Sequence, residues 1–458
     1  KIKPDHARAE CHMLSQLQLM CDFPELGVLE DASSRLGILT EAVPPFIGLA
    51  WADNPEHQLA RSRAWASERL KQKPLSLPSK PKMLPERLRI GYISADFGSH
   101  PVAYLIAKVF ELHDRNRFEI FGYSIGKRET DVMRERIINS FDVFRDIDEL
   151  NDRDANEVIR KDQIDIVIDL AGFTKNCRAE ILALRAAPIQ ISYLGYPASM
   201  GADFIDYIIA DENLIPTTSQ KHYSEKPIYL PHQYQAQDDS LPMAEDTPSR
   251  SSLGLPEQAF VFCAINASYK ITPSQFSLWM RLLQNVDGSV LWLLEGNKWV
   301  KSNLLKEANA RGIASDRLVF AQKVAHEKYL AQFRQADLYL DTFIYNAGAT
   351  ASNALWAGLP VLTKSGQSYT ARMASSLLKS LELPELITTT EQEYEDLALE
   401  LANNPQRLAK LKKKLADNRL SKPLFNSKLF TKHLEDGYQQ AYQNYFDGKT
   451  PQTIIVPK

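Results

Sequence analysis

The sequence predicts an α/β protein with two Rossmann-like units in tandem, and three observations carry that reading. From Leu88 onward, short β-rich runs alternate with helical stretches, the pattern of parallel strands joined by crossover helices. The run IDIVIDL (164–170) is dense in Ile, Val and Leu, as in a parallel strand covered on both faces. A polar stretch, QAQDDSLPMAEDTPSRSS (235–252), then separates this alternation from a second one.

Taken in chain order, residues 1–70 read as helical. AECHMLSQLQLM and HQLARSRAWASERL place apolar residues three and four apart, with Pro44-Pro45 as an interruption. No internal period marks a repeat array. KQKPLSLPSKPKMLPER (71–87) is rich in Pro, Ser and Lys, and predicts a linker that ends an appendage. The first unit takes its strands from LRIGYIS, FEIFGYSI, IDIVIDLAGF, IQISYLGYP, DYIIAD and KPIYLP, with helices near 101–113, 131–140, 152–162 and 177–186. The second takes them from FVFCAINAS, SVLWLLEG, RLVFAQ, LYLDTF and LPVLTKSG. NSKLFTKHLEDGYQQAYQNYF closes the chain as an amphipathic helix. The expected divisions are 1–80 (helices and linker), 85–240 (first Rossmann-like domain) and 250–445 (second, with the C-terminal helix).

Composition narrows the function. Hydrophobic residues at 44% and charged residues at 24% exclude disorder and a fibre. No run approaches the ~18 apolar residues of a membrane span. Fifty-four basic residues against 57 acidic ones leave −3, so no bulk positive charge exists to hold nucleic acid. Four cysteines without a CxxC pair exclude a disulfide scaffold and a cysteine zinc site, and fit a reducing, cytoplasmic setting. KIKPDHARAE is neither a signal nor a transit peptide, and the missing initiator methionine predicts chain upstream.

Two doubly wound units that face each other form a cleft, and such sheets bind ligands beyond the carboxyl ends of their strands. The loops after Ser94, Phe173, Tyr196, Ala267, Gln322, Phe343 and Gly366 are therefore the places for chemistry. His100, before Pro101 at a helix start, suits a base or a ligand-holding group; the same position suits a capping histidine. Lys270, after the first strand of the second unit, suits a diphosphate, although an ordinary solvated lysine fits too. Gly348, Ala349 and Thr350, between a strand ending at Asp341 and a helix start, let a phosphate approach the backbone. The segment is neither GxGxxG nor a Walker A loop, and a routine strand–turn–helix connection has the same form. HExxH, GxSxG and EF-hand patterns are absent. The pairs Asp146/Asp148 and Asp152/Asp154 lie in DIDELNDRD, which reads as a solvated loop and not as a metal site.

RLRIGYISADFGSHPVAYL, GFTKNCR, RAAPIQISYLGYPASMGADFIDYIIAD and HYSEKPIYLPH together resemble the catalytic region of the O-GlcNAc transferase/SPINDLY-like family, glycosyltransferase family 41. NASYKITPSQFSLWMRLL, SVLWLL, DRLVF, ADLYLDTF, LWAGLPVLT, ARMASSLL and PLFN extend the resemblance over residues 85–445, in the manner of a bacterial member. It implies a GT-B fold, with residues 1–70 as the remnant of a tetratricopeptide array. It implies inverting, metal-independent transfer from a nucleotide sugar, most simply UDP-GlcNAc, to Ser/Thr of a protein or peptide, with no cofactor. His100 then matches the histidine near sugar and acceptor, Lys270 the diphosphate lysine, Ala325 the alanine whose backbone meets the nucleobase, and Thr350 a phosphate-loop threonine. The sequence also departs from the family. Gly348, Ala349 and Thr350 stand for a histidine and two threonines, Asn353 for the ribose aspartate, Ala267 for a glutamine and Glu327 for a lysine. The resemblance implies that the anion-binding backbone survives these changes, whereas those at the base and ribose contacts fall where UDP and GDP would be told apart. GDP-fucose transfer to Ser/Thr, glucosylation of asparagine and an inactive nucleotide-binding scaffold are the competing readings.

Overall fold

The structure, a computed structural model, describes residues 6–77, 80–127 and 129–458. The part of the N-terminal reading that concerns Lys1–Asp5 lies outside the described residues. The chain divides into two units, one of 37–46, 54–240 and 423–458, the other of the chain up to Leu36 with 47–53 and 241–422.

In the first unit, strands β1 (Leu88–Ser94), β2 (Phe118–Ser124), β3 (Val143–Asp146), β4 (Ile166–Asp169), β5 (Ile189–Ser192), β6 (Tyr207–Ala210) and β7 (Lys226–Tyr229) pair in parallel, in the order β7-β6-β5-β4-β1-β2-β3. Every residue of β4, β5 and β6 is buried, which is why these strands show no polar face in the sequence. The edge strand β3 has no buried residue and was not foreseen. Asp146 ends it and pairs with Arg134. Asp152 opens the helix Asp152–Lys161 and pairs with Arg178 at 2.7 Å. The stretch expected as a solvated loop is thus in part a strand end and a helix first turn, where carboxylates oppose the helix dipole. The helix expected over 177–186 is confined to Ala179–Ala183.

The second unit has β8 (Val261–Ala264), β9 (Val290–Leu294), β10 (Leu318–Ala321), β11 (Leu338–Leu340), β12 (Val361–Lys364) and β13 (Ile387–Thr388), all parallel, in the order β10-β9-β8-β11-β12-β13. The helix Pro273–Asn285 starts sharply because the Thr272 side chain accepts the Gln275 N–H and Pro273 takes the first position. Its buried face carries Phe276, Leu278, Trp279 and Leu282.

Both chain ends depart from the expected divisions. The N-terminal helices are shared between the units and do not form an appendage. The helix Ala7–Met20 joins the second unit: its last carbonyls, which a helix leaves unsatisfied, are taken up there. Leu19 O accepts from Ser268 Oγ and Asn297 Nδ2, each at 2.8 Å, and Met20 O from Asn303 Nδ2 at 3.0 Å. The helix Pro55–Arg69 joins the first unit, where Ser62 Oγ lies 3.0 Å from the Tyr196 hydroxyl. The C-terminal helix Ser427–Phe446, expected with the second sheet, belongs to the first unit. A buried polar network ties it there. Glu435 Oε1 lies 2.9 Å from His113 Nδ1 and accepts the Asp114 N–H at 2.8 Å, and the Tyr438 and Tyr92 hydroxyls are 3.2 Å apart. Strand β14 (Ile454–Ile455) then adds to β7. Among the described residues no helix is long and apolar enough to cross a membrane.

Candidate functional site

In the second unit the strand order reverses between β8 and β11. Connections that leave these two strands diverge to opposite faces of the sheet, which opens a crevice at their carboxyl ends. The loops there are 265–272, which carries Lys270, and 341–348.

Lys270 ends the short 3-10 turn Ser268–Lys270 and is only 9% exposed. Its Nζ donates to the Asn346 carbonyl at 2.9 Å and sits 4.0 Å from the centroid of the Tyr345 ring. Burial pulls its pKa below the ordinary lysine value, against the attraction of Asp341. Asp341 is fully buried just beyond β11. Its Oδ1 accepts the N–H groups of Thr342 and Ala347 at 2.8 and 2.7 Å, and its Oδ2 the Thr363 hydroxyl at 2.7 Å. Burial pushes this carboxyl up, while those donors and Lys270 pull it down. Asn346 is buried as well. Its N–H donates to Thr370 O at 2.9 Å and its Nδ2 to Thr342 O at 2.6 Å. Its Oδ1 has no partner among the described residues. A loop braced by so many satisfied buried groups is held in one conformation.

The loop runs into the helix Ala349–Trp356. Gly348 is its N-cap and supplies no side-chain cap, so the first-turn amides lack the acceptor a capping side chain would give, the arrangement that suits an anion. Gly348, Ala349 and Thr350 are half-buried. The Tyr329 hydroxyl hydrogen-bonds with the side chains of Thr350 and Asn353. Ala325, exposed after β10, caps the helix His326–Gln332, and its carbonyl accepts the Tyr329 N–H at 2.9 Å. The fold therefore gathers Lys270, Ala325, Gly348, Ala349, Thr350 and Asn353 in one unit, on the loops and helix starts that follow β8, β10 and β11. Sequence reasoning missed Asp341, Tyr345 and Asn346 as braces, and Tyr329 as the link. Only Asp341, a carboxylate that closes an apolar strand, left a local signal.

His100 lies in the other unit, after β1, where the order again reverses, between β1 and β4. It caps the helix Pro101–Leu112: its Nδ1 accepts the Val102 N–H at 3.3 Å. Asp96 Oδ2 lies 3.5 Å from the same nitrogen. Nδ1 accepts from Val102 only when unprotonated and donates to Asp96 only when protonated, so the two contacts belong to different tautomers. At the end of β4, the buried Asp169 accepts the Ala171 and Gly172 N–H groups through Oδ1, and burial raises its pKa. Among the described residues, no group of three or more His, Cys, Asp or Glu is placed to hold a metal ion.

Residues 66–245 and 235–434 match the sequence signature of glycosyl transferase family 41. The chain belongs to this family. It is 34% identical over 91% of its length to the Arabidopsis thaliana protein SEC, named a probable UDP-N-acetylglucosamine–peptide N-acetylglucosaminyltransferase. It is 29% identical over 79% of its length to the Caenorhabditis elegans UDP-N-acetylglucosamine–peptide N-acetylglucosaminyltransferase. It covers 44% and 41% of those two proteins, less than half of each. Among solved structures, a mutant of the Thermobaculum terrenum O-GlcNAc transferase superposes with a TM-score of 0.84 at 28% identity, over 97% of this chain and 86% of that one. The fold of this family 41 member is accordingly GT-B-like, with two parallel-sheet α/β units and a short helical N-terminal region.

Proposed function

We propose that this chain is the catalytic region of an inverting, metal-independent protein O-glycosyltransferase that moves N-acetylglucosamine from UDP-GlcNAc to Ser/Thr hydroxyls. The supporting observation is the buried Lys270 on Asn346 O, beside a helix start without a side-chain cap, at the switch point of the second sheet. The donor diphosphate takes up the Lys270 ammonium, the Thr350 hydroxyl and the first amides of the helix Ala349–Trp356. As the acceptor oxygen attacks the anomeric carbon, the bond to the diphosphate breaks and its electron pair leaves with the nucleotide. Donors already fixed where that charge develops supply the largest rate term in such sites. His100 orients the acceptor hydroxyl or accepts its proton, in the tautomer that donates from Nδ1 to Asp96 and leaves a lone pair on Nε2.

A second reading keeps the chemistry and exchanges the donor for GDP-fucose. It rests on Asn353, which stands where the family carries the ribose aspartate and is engaged by Tyr329. Incubation of the purified chain with UDP-GlcNAc, GDP-fucose or UDP-glucose and a protein acceptor tests the readings by the nucleotide released. UDP from UDP-GlcNAc supports the proposal. GDP release supports the second reading, and no release from any donor contradicts both.

A further inference from the structure

The N-terminal segment reaches the donor lysine through a carboxylate far away in sequence. Gln18, buried on the helix Ala7–Met20, donates from Nε2 to Ala50 O at 3.3 Å and accepts the Trp51 indole N–H at 3.1 Å. These bonds hold the turn that presents Asp53. The Asp53 carboxylate sits in a nest of two consecutive amides: Oδ2 accepts the Gln367 N–H at 2.8 Å and Oδ1 the Ser368 N–H at 2.7 Å. Such a pair of N–H groups is a ready anion site. Gly366 leaves the room for it, because a Cβ there would lie 2.1 Å from Asp53 Oδ2. The nest belongs to a tight loop: Gly366 N–H donates to Ala371 O, Ala371 N–H to Ser368 O, and the buried Ser368 and Thr370 hydroxyls are 3.1 Å apart. Thr370 O takes the Asn346 N–H, and Asn346 O takes Lys270 Nζ, each at 2.9 Å. From the other side, Ser268, two residues before Lys270, donates to Leu19 O.

We propose that Asp53 is a positioning residue of the donor site: by filling the Gly366–Ser368 nest it fixes the loop that holds Asn346, and through Asn346 the Lys270 ammonium. The proposal rests on the reading of Lys270 as the donor-diphosphate group. The N-terminal segment then acts as part of the nucleotide site, and whatever shifts that segment changes donor affinity.

The test is a double-mutant cycle on the full chain, with UDP as the titrant in calorimetry and thermal melting as the folding control. Asp53→Ala weakens UDP binding about 3- to 30-fold, the range of coupling through an intermediate loop. Asp53→Asn, which keeps the shape and one acceptor oxygen, weakens it less and serves as the second variant where the alanine melts early. Because Asp53 acts through Lys270, adding Asp53→Ala to Lys270→Ala has no further effect. The proposal is overturned by UDP affinities of both Asp53 variants within about twofold of wild type, or by an Asp53 effect that adds in full to that of Lys270→Ala. A Lys270→Ala chain that binds UDP like wild type overturns the donor reading itself, and the role of Asp53 with it.

Discussion

The hydrogen bond of the buried Lys270 ammonium goes to the main-chain carbonyl of Asn346, at 2.9 Å, and not to a carboxylate. The carbonyl dipole and the Tyr345 ring 4.0 Å away stabilise the cation together with the attraction of the buried Asp341. On the proposed reading the donor diphosphate takes up that charge.

Replacing Lys270 with alanine therefore removes function and not fold. Asp341 keeps Thr363 and two backbone donors, and Asn346 keeps Thr370. Steady-state transfer falls about 30- to 1,000-fold, the value of roughly 2–4 kcal/mol of transition-state stabilisation, while the melting curve stays cooperative. A variant within about threefold of wild type contradicts the assignment.

The burial of Lys270 has a pH signature. Its folded pKa lies below the ordinary 10.5, so the cation is present at low pH and is lost as pH rises through that lowered value. kcat/KM for the donor, which reports free-enzyme ionisations, then declines at a lower pH than an ordinary lysine would give. The decline is missing in Lys270→Ala. An alkaline limb of the same position in that variant assigns the titration to another group.

On the proposed reading Lys270 and the helix amides carry the diphosphate charge, so full activity is expected in excess EDTA. Asp146 is paired with Arg134, and Asp152 with Arg178. A loss of activity in EDTA that Mn²⁺ or Mg²⁺ restores contradicts this.

His100 has a structural role as a cap that must be separated from chemistry. Asn is a good N-cap, so His100→Asn keeps the start of the helix Pro101–Leu112, whereas His100→Ala forfeits about 1 kcal/mol of stability. Turnover falls about 10²- to 10⁴-fold in both variants if the ring serves the acceptor, and UDP affinity is unchanged. A variant that loses UDP affinity but keeps turnover at saturating donor reverses the role.

These residues also mark how far the sequence could be read. The buried strands β4, β5 and β6 were legible because apolar density is a local property, and Lys270 and Gly348–Thr350 because a strand, a loop and a helix start follow one another in sequence. The edge strand β3 and the two-residue strands β13 and β14 carry too little apolar signal to register. Amphipathicity announced the helix Ser427–Phe446, but not that Glu435 and Tyr438 would bind it to His113 and Tyr92 of the first unit. Asp53 lies 314 residues from Gln367, and nothing local to either announces the contact.

The central claim is most directly tested by site-mapped mass spectrometry of a protein acceptor incubated with UDP-GlcNAc and either the wild-type chain or Lys270→Ala. The account predicts single N-acetylhexosamine additions on Ser or Thr with the wild-type chain and their near absence with the variant. Sugar on asparagine, no addition with the wild-type chain, or equal modification by both proteins would contradict it.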